Sequence, residues 1–142
     1  LPKVWILPNP DAGNLQAIKF LEKNKKDLES PIFIINSLPL ELYVKLLKYS
    51  KCLIGNSSSG IRECAYLGVP SVNIGNRQFG RLRGPNTVDS KHNLDEIKNS
   101  IKMQLEHGFY PPSNIYGNGN SGKIIANYLS NCDLILEKTI TY

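Results

Sequence analysis

Several features that would place a protein in a common class are missing from this 142-residue sequence. No apolar run is long enough to span a bilayer, and no charged segment followed by an apolar one resembles a secretion signal, so we expect neither a membrane helix nor export. The three cysteines, Cys52, Cys64 and Cys132, form no C-x-x-C pair, and clustered histidine or carboxylate ligands are also lacking. The sequence therefore predicts reduced thiols, no metal, no cofactor and a cytoplasmic location.

Positive charge exceeds negative charge by five at neutral pH. The lysines are scattered among acidic residues, as on a solvated surface, and no stripe of basic and aromatic residues suggests a nucleic-acid partner. Three arginines differ, because Arg77, Arg81 and Arg83 crowd one predicted loop. Since arginine binds phosphate with a planar fork of N–H donors, the charge pattern favours phosphate recognition at this loop over binding along a nucleic acid.

Short apolar runs alternate with amphipathic stretches along the chain. Predicted strands cover Val4–Leu7, Phe33–Asn36, Cys52–Ile54, Ser71–Ile74 and a short segment ending near Val88. Predicted helices cover about Asp11–Asn24, Leu40–Tyr49, Ser59–Leu67 and Leu94–Leu105, with a last one that carries Ile124, Ile125, Tyr128 and Leu129 and fades near Glu137. Strands separated by helical crossovers form parallel sheets, so the predicted fold is α/β, a doubly wound, Rossmann-like parallel sheet in one domain.

A serine-rich segment stands between the third strand and the third helix of this prediction. Ser57, Ser58, Ser59 and Gly60 precede apolar residues at helical spacing. Serine is also a common helix cap, but one cap does not require three serines. Free N–H groups and the positive end of the helix dipole meet at a helix N-terminus, so the segment predicts an anion site.

Other polar residues follow the predicted strands in the same way. Ligands bind outside the carboxyl ends of the strands in doubly wound sheets, and we expect these clusters to converge there. The residues are Asn9 and Asp11 after the first strand, Ser37 and Leu38 after the second, Ser57–Gly60 after the third, and Asn76 and Arg77 after the fourth.

The segment Gly55–Arg81, GNSSSGIRECAYLGVPSVNIGNRQFGR, resembles the hydrolysing UDP-N-acetylglucosamine 2-epimerase family. Three further elements in the expected order are similar to that family: PNPDAG at Pro8–Gly13, SLPLELYVKLLKYSKCLIGNSSSG at Ser37–Gly60, and IYGNGNSGKIIANYL at Ile115–Leu129. The resemblance covers nearly the whole chain. It implies the UDP-binding C-terminal half of a glycosyltransferase-B-like architecture, with the N-terminal domain absent, and a chain that begins at Leu1 without an initiator methionine agrees with that expectation.

The resemblance also implies roles for individual residues. Ser57 and Ser58, with the backbone of Ser59 and Gly60, would bind the diphosphate, and Glu63 would accept hydrogen bonds from the ribose hydroxyls. Arg77 would contact the nucleotide and balance phosphate charge. Leu38 would meet the uracil, and Asn9 would contact the nucleotide from the first βα loop. In the last motif Asn118 replaces the family's commoner aspartate, and we expect asparagine to preserve the turn.

The implied reaction is elimination of UDP from UDP-N-acetylglucosamine, followed by addition of water to give N-acetylmannosamine. Ser58 and Arg77 would stabilise the leaving group, while the catalytic acid and base would lie in the absent domain, so that this chain alone is inactive. His92 and His107 fall at a loop and a helix end, where non-catalytic roles are expected. The implied partners are UDP, UDP-N-acetylglucosamine, the N-terminal domain and, at full length, a second copy.

Two other functions fit the same residues. A retaining glycosyltransferase also binds a nucleotide diphosphate on such a domain and would transfer the sugar to an acceptor. A non-catalytic nucleotide-sugar-binding module would bind the ligand without turnover. The family resemblance favours the epimerase over both.

Overall fold

The computed structural model describes residues 1–7, 14–24 and 31–133. The chain divides into two compact units, Leu1–Leu46 and Leu47–Tyr142, called here the first and the second unit. Asn9 and the predicted helix start at Asp11 lie outside the described residues, as does the predicted end of the last helix near Glu137.

The first unit contains a two-stranded parallel sheet. Strand β1 (Lys3–Ile6) pairs with β2 (Ile32–Ile35), and Val4 stands opposite Phe33. Helix α1 (Asn14–Asn24) lies between these strands in sequence, and α2 (Leu40–Tyr49) spans the residues at which the two units divide. A parallel pair needs such a crossover, because the chain must return to the same end of the sheet before the second strand begins.

The second unit contains a three-stranded parallel sheet in which β4 (Ser71–Ile74) lies between β3 (Leu53–Gly55) and β5 (Thr87–Ser90). Helix α3 (Glu63–Leu67) precedes β4, α4 (Leu94–His107) packs against β4 and β5, and α5 (Ser121–Asn131) ends the described chain. The predicted α/β class with parallel sheets and helical connections is therefore confirmed.

The third predicted helix, Ser59–Leu67, is divided in the structure. Ser58–Gly60 form one 3₁₀ turn, and the α-helix begins only at Glu63. It ends at Gly68, whose φ of 69° is the left-handed conformation that closes many helices. The amide of Tyr110 donates to the carbonyl of Gly68 at 2.8 Å and fastens a later segment to this helix end.

The buried face of α4 is polar. Leu94, Ile97, Ile101 and Leu105 have the apolar spacing of a helix, but Leu94 is 65% exposed and Leu105 is exposed as well. The fully buried residues of α4 are instead Ser100 and Gln104. Asn93 caps the helix, since its Oδ1 accepts a hydrogen bond from the Glu96 amide at 3.0 Å.

The core of the second unit is small. Its fully buried apolar residues are Leu47, Ile61, Cys64, Ala65, Val69 and Val72. By contrast, none of the residues of α5 is buried. Within residues 1–7, 14–24 and 31–133, no helix is both long and apolar enough to cross a membrane.

Candidate functional site

Residues Ser57–Gly60, called the serine turn below, connect β3 to α3. Ser57 is extended, and its Oγ accepts a hydrogen bond from the Ser59 amide at 3.3 Å. The Gly60 amide donates to the Ser57 carbonyl at 3.2 Å. Ser57 therefore caps the turn, and both amides that were predicted to bind diphosphate already have acceptors within the turn, at distances long for N–H···O bonds.

The helix that follows the turn is too short to add much to anion binding. Helix α3 has five residues and starts with Glu63, three residues after Gly60. The effect of a helix dipole is confined to its first turn, and here a carboxylate already occupies that turn. Attraction of an anion to the serine turn must therefore come from nearby N–H and O–H groups and from Arg77.

Three of the four carbonyl oxygens of the turn accept hydrogen bonds from described residues. The Ser57 carbonyl accepts from Gly60, and the Ser58 carbonyl accepts from the amides of Ile61 and Arg62 at 3.1 and 3.0 Å. Side chains bind the carbonyl of Gly60. No hydrogen bond of the Ser58 or Ser59 hydroxyl occurs among the residues that the structure describes. The carbonyls of Ser57, Ser58 and Gly60 are therefore satisfied within the protein, and hydroxyl donors remain available.

Arg77 lies at the base of the serine turn. Its Nη1 donates to the carbonyl of Asn56 at 3.3 Å, and Gln78 Nε2 donates to the same oxygen at 2.7 Å. The Arg77 side chain is exposed, and a guanidinium carries five N–H donors, so this contact leaves most of them available. The structure thus brings together Arg77 and the serine turn, which are about twenty residues apart in sequence.

Glu63 supplies an unsatisfied acceptor close to the turn. Its side chain is half-buried. Its Oε2 is buried and has no hydrogen-bond partner among the described residues. An unpaired buried carboxylate oxygen is costly, and a ligand hydroxyl would satisfy it. This geometry suits the role in ribose binding that the family resemblance implies.

The other two arginines of the loop differ from Arg77. Arg83 donates to the carbonyls of Arg81 and Gln78 at 2.6 and 3.0 Å. Its Nε lies 2.8 Å from Asp89 Oδ2, an ion pair whose N–H direction is not that of a hydrogen bond. Arg83 therefore holds the loop together. Arg81 is exposed, and its side chain makes no hydrogen bond or ion pair within the described residues.

A cavity of about 460 Å³ lies at the carboxyl ends of β4 and β5. It is lined by Gly75, Asn76, Phe79, Arg83, Asp89, Ser90, Lys91, His92 and Glu96. Asn76 and Arg83, which were predicted at a strand end and in the arginine-rich loop, line it, whereas Leu38, Ser57–Gly60, Glu63 and Arg77 do not. The cavity as a whole was not predicted, because its lining combines residues from two strand ends and a helix start. No group of three or more potential metal ligands occurs in the described part of the chain.

The remaining predicted residues have these positions. Leu38 lies in the first unit, half-buried, between β2 and α2. In the IYGNGN motif, Asn118 Oδ1 accepts from the Asn120 amide at 3.2 Å, a bond that needs only the oxygen which asparagine shares with aspartate. The Tyr116 hydroxyl donates to the carbonyl of Leu82 at 2.7 Å and connects this motif to the loop that carries Arg81 and Arg83.

Comparison with known proteins gives a consistent result. Residues 1–130 match the model of the UDP-N-acetylglucosamine 2-epimerase family. A UDP-N-acetylglucosamine 2-epimerase of Neisseria meningitidis serogroup B is 30% identical over 118 residues, which is 83% of this chain and 30% of that protein. A GDP/UDP-N,N'-diacetylbacillosamine 2-epimerase (hydrolyzing) of Campylobacter jejuni is 35% identical over 102 residues, 71% of this chain and 27% of that protein.

The third relative is polysialic acid biosynthesis protein P7 of Escherichia coli, 41% identical over 109 residues, 75% of this chain and 27% of that protein. The matched part of this chain thus spans less than a third of the length of each of these relatives. The family match nevertheless covers β1 through most of α5, including the serine turn, Glu63 and Arg77. The chain therefore belongs to the UDP-N-acetylglucosamine 2-epimerase family.

Proposed function

We propose that this chain binds the UDP part of UDP-N-acetylglucosamine and activates UDP as the leaving group in hydrolysing 2-epimerisation to N-acetylmannosamine. One observation carries the proposal: no described residue bonds the Ser58 and Ser59 hydroxyls, and the exposed Arg77 guanidinium, which contacts the residue just before the turn, retains most of its N–H donors. Phosphate oxygens are acceptors only, so a site made of donors is complementary to a diphosphate.

The proposed catalytic contribution is electrostatic. As the bond between the sugar C1 and the phosphate oxygen breaks, negative charge grows on the β-phosphate. Fixed hydroxyl and guanidinium donors stabilise that charge more strongly than they stabilise the intact substrate, and this difference lowers the barrier. Removing one such donor from a comparable site costs about 3 kcal/mol of activation free energy. The group that removes the C2 proton lies elsewhere in the protein, in the N-terminal domain that the family resemblance implies.

The remainder of the nucleotide is assigned to the other family positions. Glu63 accepts hydrogen bonds from the ribose, supported by its unpartnered Oε2. Leu38 contacts the uracil, and Asn9 contributes from the first βα loop. We further propose that the full-length protein is a homodimer and works in the cytoplasm. Since one relative is named for UDP-N-acetylglucosamine and another for a diacetylbacillosamine nucleotide, the sugar is the part of the substrate to be tested most directly.

The proposal is tested by UDP binding to the protein at its full natural length. We expect Ser58→Ala and Arg77→Ala each to weaken UDP binding about tenfold or more, because each removes a hydrogen bond to a charged group. Arg81→Ala is the matched control: it removes an exposed guanidinium from the same loop, and we expect its affinity to stay within twofold of wild type. If Ser58→Ala and Arg77→Ala bind UDP as tightly as wild type, the proposed site is wrong.

The reaction products separate the three candidate functions. The epimerase releases free N-acetylmannosamine and UDP from UDP-N-acetylglucosamine. A retaining glycosyltransferase transfers the sugar to an acceptor, and a binding module produces neither product. Parallel assays with the N-acetylglucosamine and diacetylbacillosamine nucleotides, detecting free sugar and UDP, identify the substrate.

A further inference from the structure

We infer that Ser71, Asn86 and Thr87 are positioning residues that hold the serine turn in its anion-binding conformation. This inference rests on the proposed function, because it concerns how the same turn is held ready for diphosphate. It assigns a role to three residues that do not themselves contact the nucleotide.

Three side chains converge on the carbonyl oxygen of Gly60. Ser71 Oγ lies 2.8 Å from it, Thr87 Oγ1 3.0 Å and Asn86 Nδ2 3.1 Å. Ser71 lies in β4, Thr87 in β5, and Asn86 directly before β5. The three residues are 11 to 27 positions from Gly60 in sequence. A carbonyl oxygen has two lone pairs, so these donors occupy its full accepting capacity.

The protons are distributed unequally among these donors. Ser71 Oγ and Thr87 Oγ1 are also 2.9 Å apart, so two hydroxyl protons serve three contacts. The Asn86 amide has two protons of its own and gives the second to the carbonyl of Val69 at 2.9 Å. Asn86 is therefore the constant donor, and the hydroxyl pair supplies one or two further hydrogen bonds.

The direction of this carbonyl matters for anion binding. If the Gly60 carbonyl pointed outward, its partial negative charge would face the phosphate and oppose binding. Gly60 is buried directly against β4, where an added Cβ would lie 3.2 Å from Ser71 Oγ. The three donors thus keep the Gly60 carbonyl on the inner side, away from a bound diphosphate.

A second layer fixes these positioning residues. Gln104 Nε2 donates to the carbonyls of Ser71 and Asn86, both at 2.8 Å, and Gln104 Oε1 accepts from the Tyr110 hydroxyl at 2.6 Å. Gln104, Asn86 and Ser71 are each at most 1% exposed. Their backbone and side-chain positions are therefore restrained by α4 before any ligand binds.

The test compares hydroxyl-deleting variants of the full-length protein in UDP titrations. Thr87→Val is nearly isosteric and removes one donor to Gly60. We expect the double variant Ser71→Ala/Thr87→Val to bind UDP about fivefold to tenfold more weakly, with a fall in kcat for the UDP-sugar, because only Asn86 then donates to Gly60. We expect Thr87→Val alone to lose less, because Ser71 Oγ still donates to the same carbonyl. Thr87→Ser retains the hydroxyl, and we expect it to restore affinity to within about twofold of wild type. Ser71→Ala provides a second hydroxyl deletion should Thr87→Val fold poorly.

Ser90→Ala is the matched control, since Ser90 is a buried β5 residue whose hydroxyl donates to the Lys91 carbonyl and not to the turn. If Ser58→Ala and Arg77→Ala weaken UDP binding but Ser71→Ala/Thr87→Val binds as wild type does, the positioning role is wrong and the proposed function survives. If Ser90→Ala weakens UDP binding as much as the double variant does, the positioning role is also wrong, because the loss would then reflect general destabilisation. Normal binding by Ser58→Ala and Arg77→Ala removes the proposed function itself.

Discussion

The interior behind the serine turn and the surface of α5 reverse the usual distribution of polar and apolar side chains. Gln104 is completely buried and Asn86 nearly so, whereas in α5 Ile124 is 65% exposed and Tyr128 70% exposed. The two buried amides bind backbone carbonyls, and the large apolar residues of α5 lie at the surface of the described structure. Burial in the second unit therefore depends on the hydrogen bonds that the backbone needs as well as on apolarity.

This difference has a physical reason. Loops at the ends of short parallel strands leave carbonyl oxygens inside the protein that the sheet does not pair, and an unpaired buried carbonyl is costly. Amide and hydroxyl side chains supply the missing donors, for example Asn86 to the carbonyls of Gly60 and Val69. The polar interior is thus the consequence of building an irregular turn close to the sheet.

The largest effect expected from breaking this arrangement is that of Gln104→Leu. The substitution removes the side-chain hydrogen bonds to the carbonyls of Ser71 and Asn86 and leaves the Tyr110 hydroxyl without its acceptor, while the Asn86 carbonyl keeps its bond from the Ser71 amide. We expect a loss of about 3 kcal/mol in the free energy of unfolding, measured by urea titration.

Met103→Gln is the matched control, because it makes the opposite change of polarity on the neighbouring, half-exposed residue of the same helix. We expect it to cost less than about 0.5 kcal/mol. A Gln104→Leu variant as stable as wild type would mean that the buried amide contributes nothing that an apolar side chain cannot supply.

An intermediate effect is expected from pH, through the buried face of α3. Burial, with smaller contributions from the charges of Glu63 and Cys52, raises the pKa of the Cys64 thiol from 9.0 to about 12. The unfolded chain ionises this thiol near pH 9 and the folded chain does not. The contribution of this thiol to the free energy of unfolding is therefore constant below about pH 9. It falls as the pH rises toward 12, by up to about 1.4 kcal/mol per pH unit.

Urea titrations at pH 8, 9 and 10 measure this dependence. Cys64→Ala removes the titrating group, and we expect a smaller loss of stability between pH 9 and 10 than in the wild type. Some dependence remains, because burial also raises the pKa of Cys52, to about 11. Parallel losses in the two proteins would show that Cys64 ionises equally easily in the folded and unfolded chain.

The smallest effect is expected on the exposed side of the comparison. Ile125→Ser and Leu129→Ser alter large apolar residues of α5 that are more than half exposed, and we expect each to cost less than about 0.5 kcal/mol in urea unfolding. Leu47→Ala, at a position only 2% exposed, should cost about 2 to 5 kcal/mol. If the α5 substitutions cost as much as Leu47→Ala, the apolar face of α5 is covered in solution.

The sequence was sufficient for elements whose pattern is local. The helix over Leu40–Tyr49 and the strand over Ser71–Ile74 were predicted with the observed bounds, because one shows helical spacing of apolar residues and the other is a short run bounded by turn-forming residues. Serine and glycine before an apolar pattern predicted a helix from Ser59, but the structure has a 3₁₀ turn there, capped by Ser57.

The division of the third predicted helix depended on distant residues. Nothing in Ser59–Leu67 indicates a break at Ile61 and Arg62, because the Gly60 carbonyl is held by side chains that are remote in sequence. For the same reason the apolar periodicity of α4 did not identify Gln104 as buried, since its partners are backbone carbonyls of other segments. The approach of Arg77 to Asn56 agreed with the predicted convergence at the strand ends, although its contact with a carbonyl could not be predicted.

Gly68 restricts what α3 can become. A side chain at this position would collide with the Tyr110 carbonyl, and the left-handed backbone disfavours any other residue. The helix can therefore not be extended at this end, just as the anchored Gly60 carbonyl limits it at the other. A segment whose length is fixed at both ends acts as a rigid spacer, so the distance from the serine turn to the segment carrying Tyr110 is set by the chain itself and not by any bound ligand.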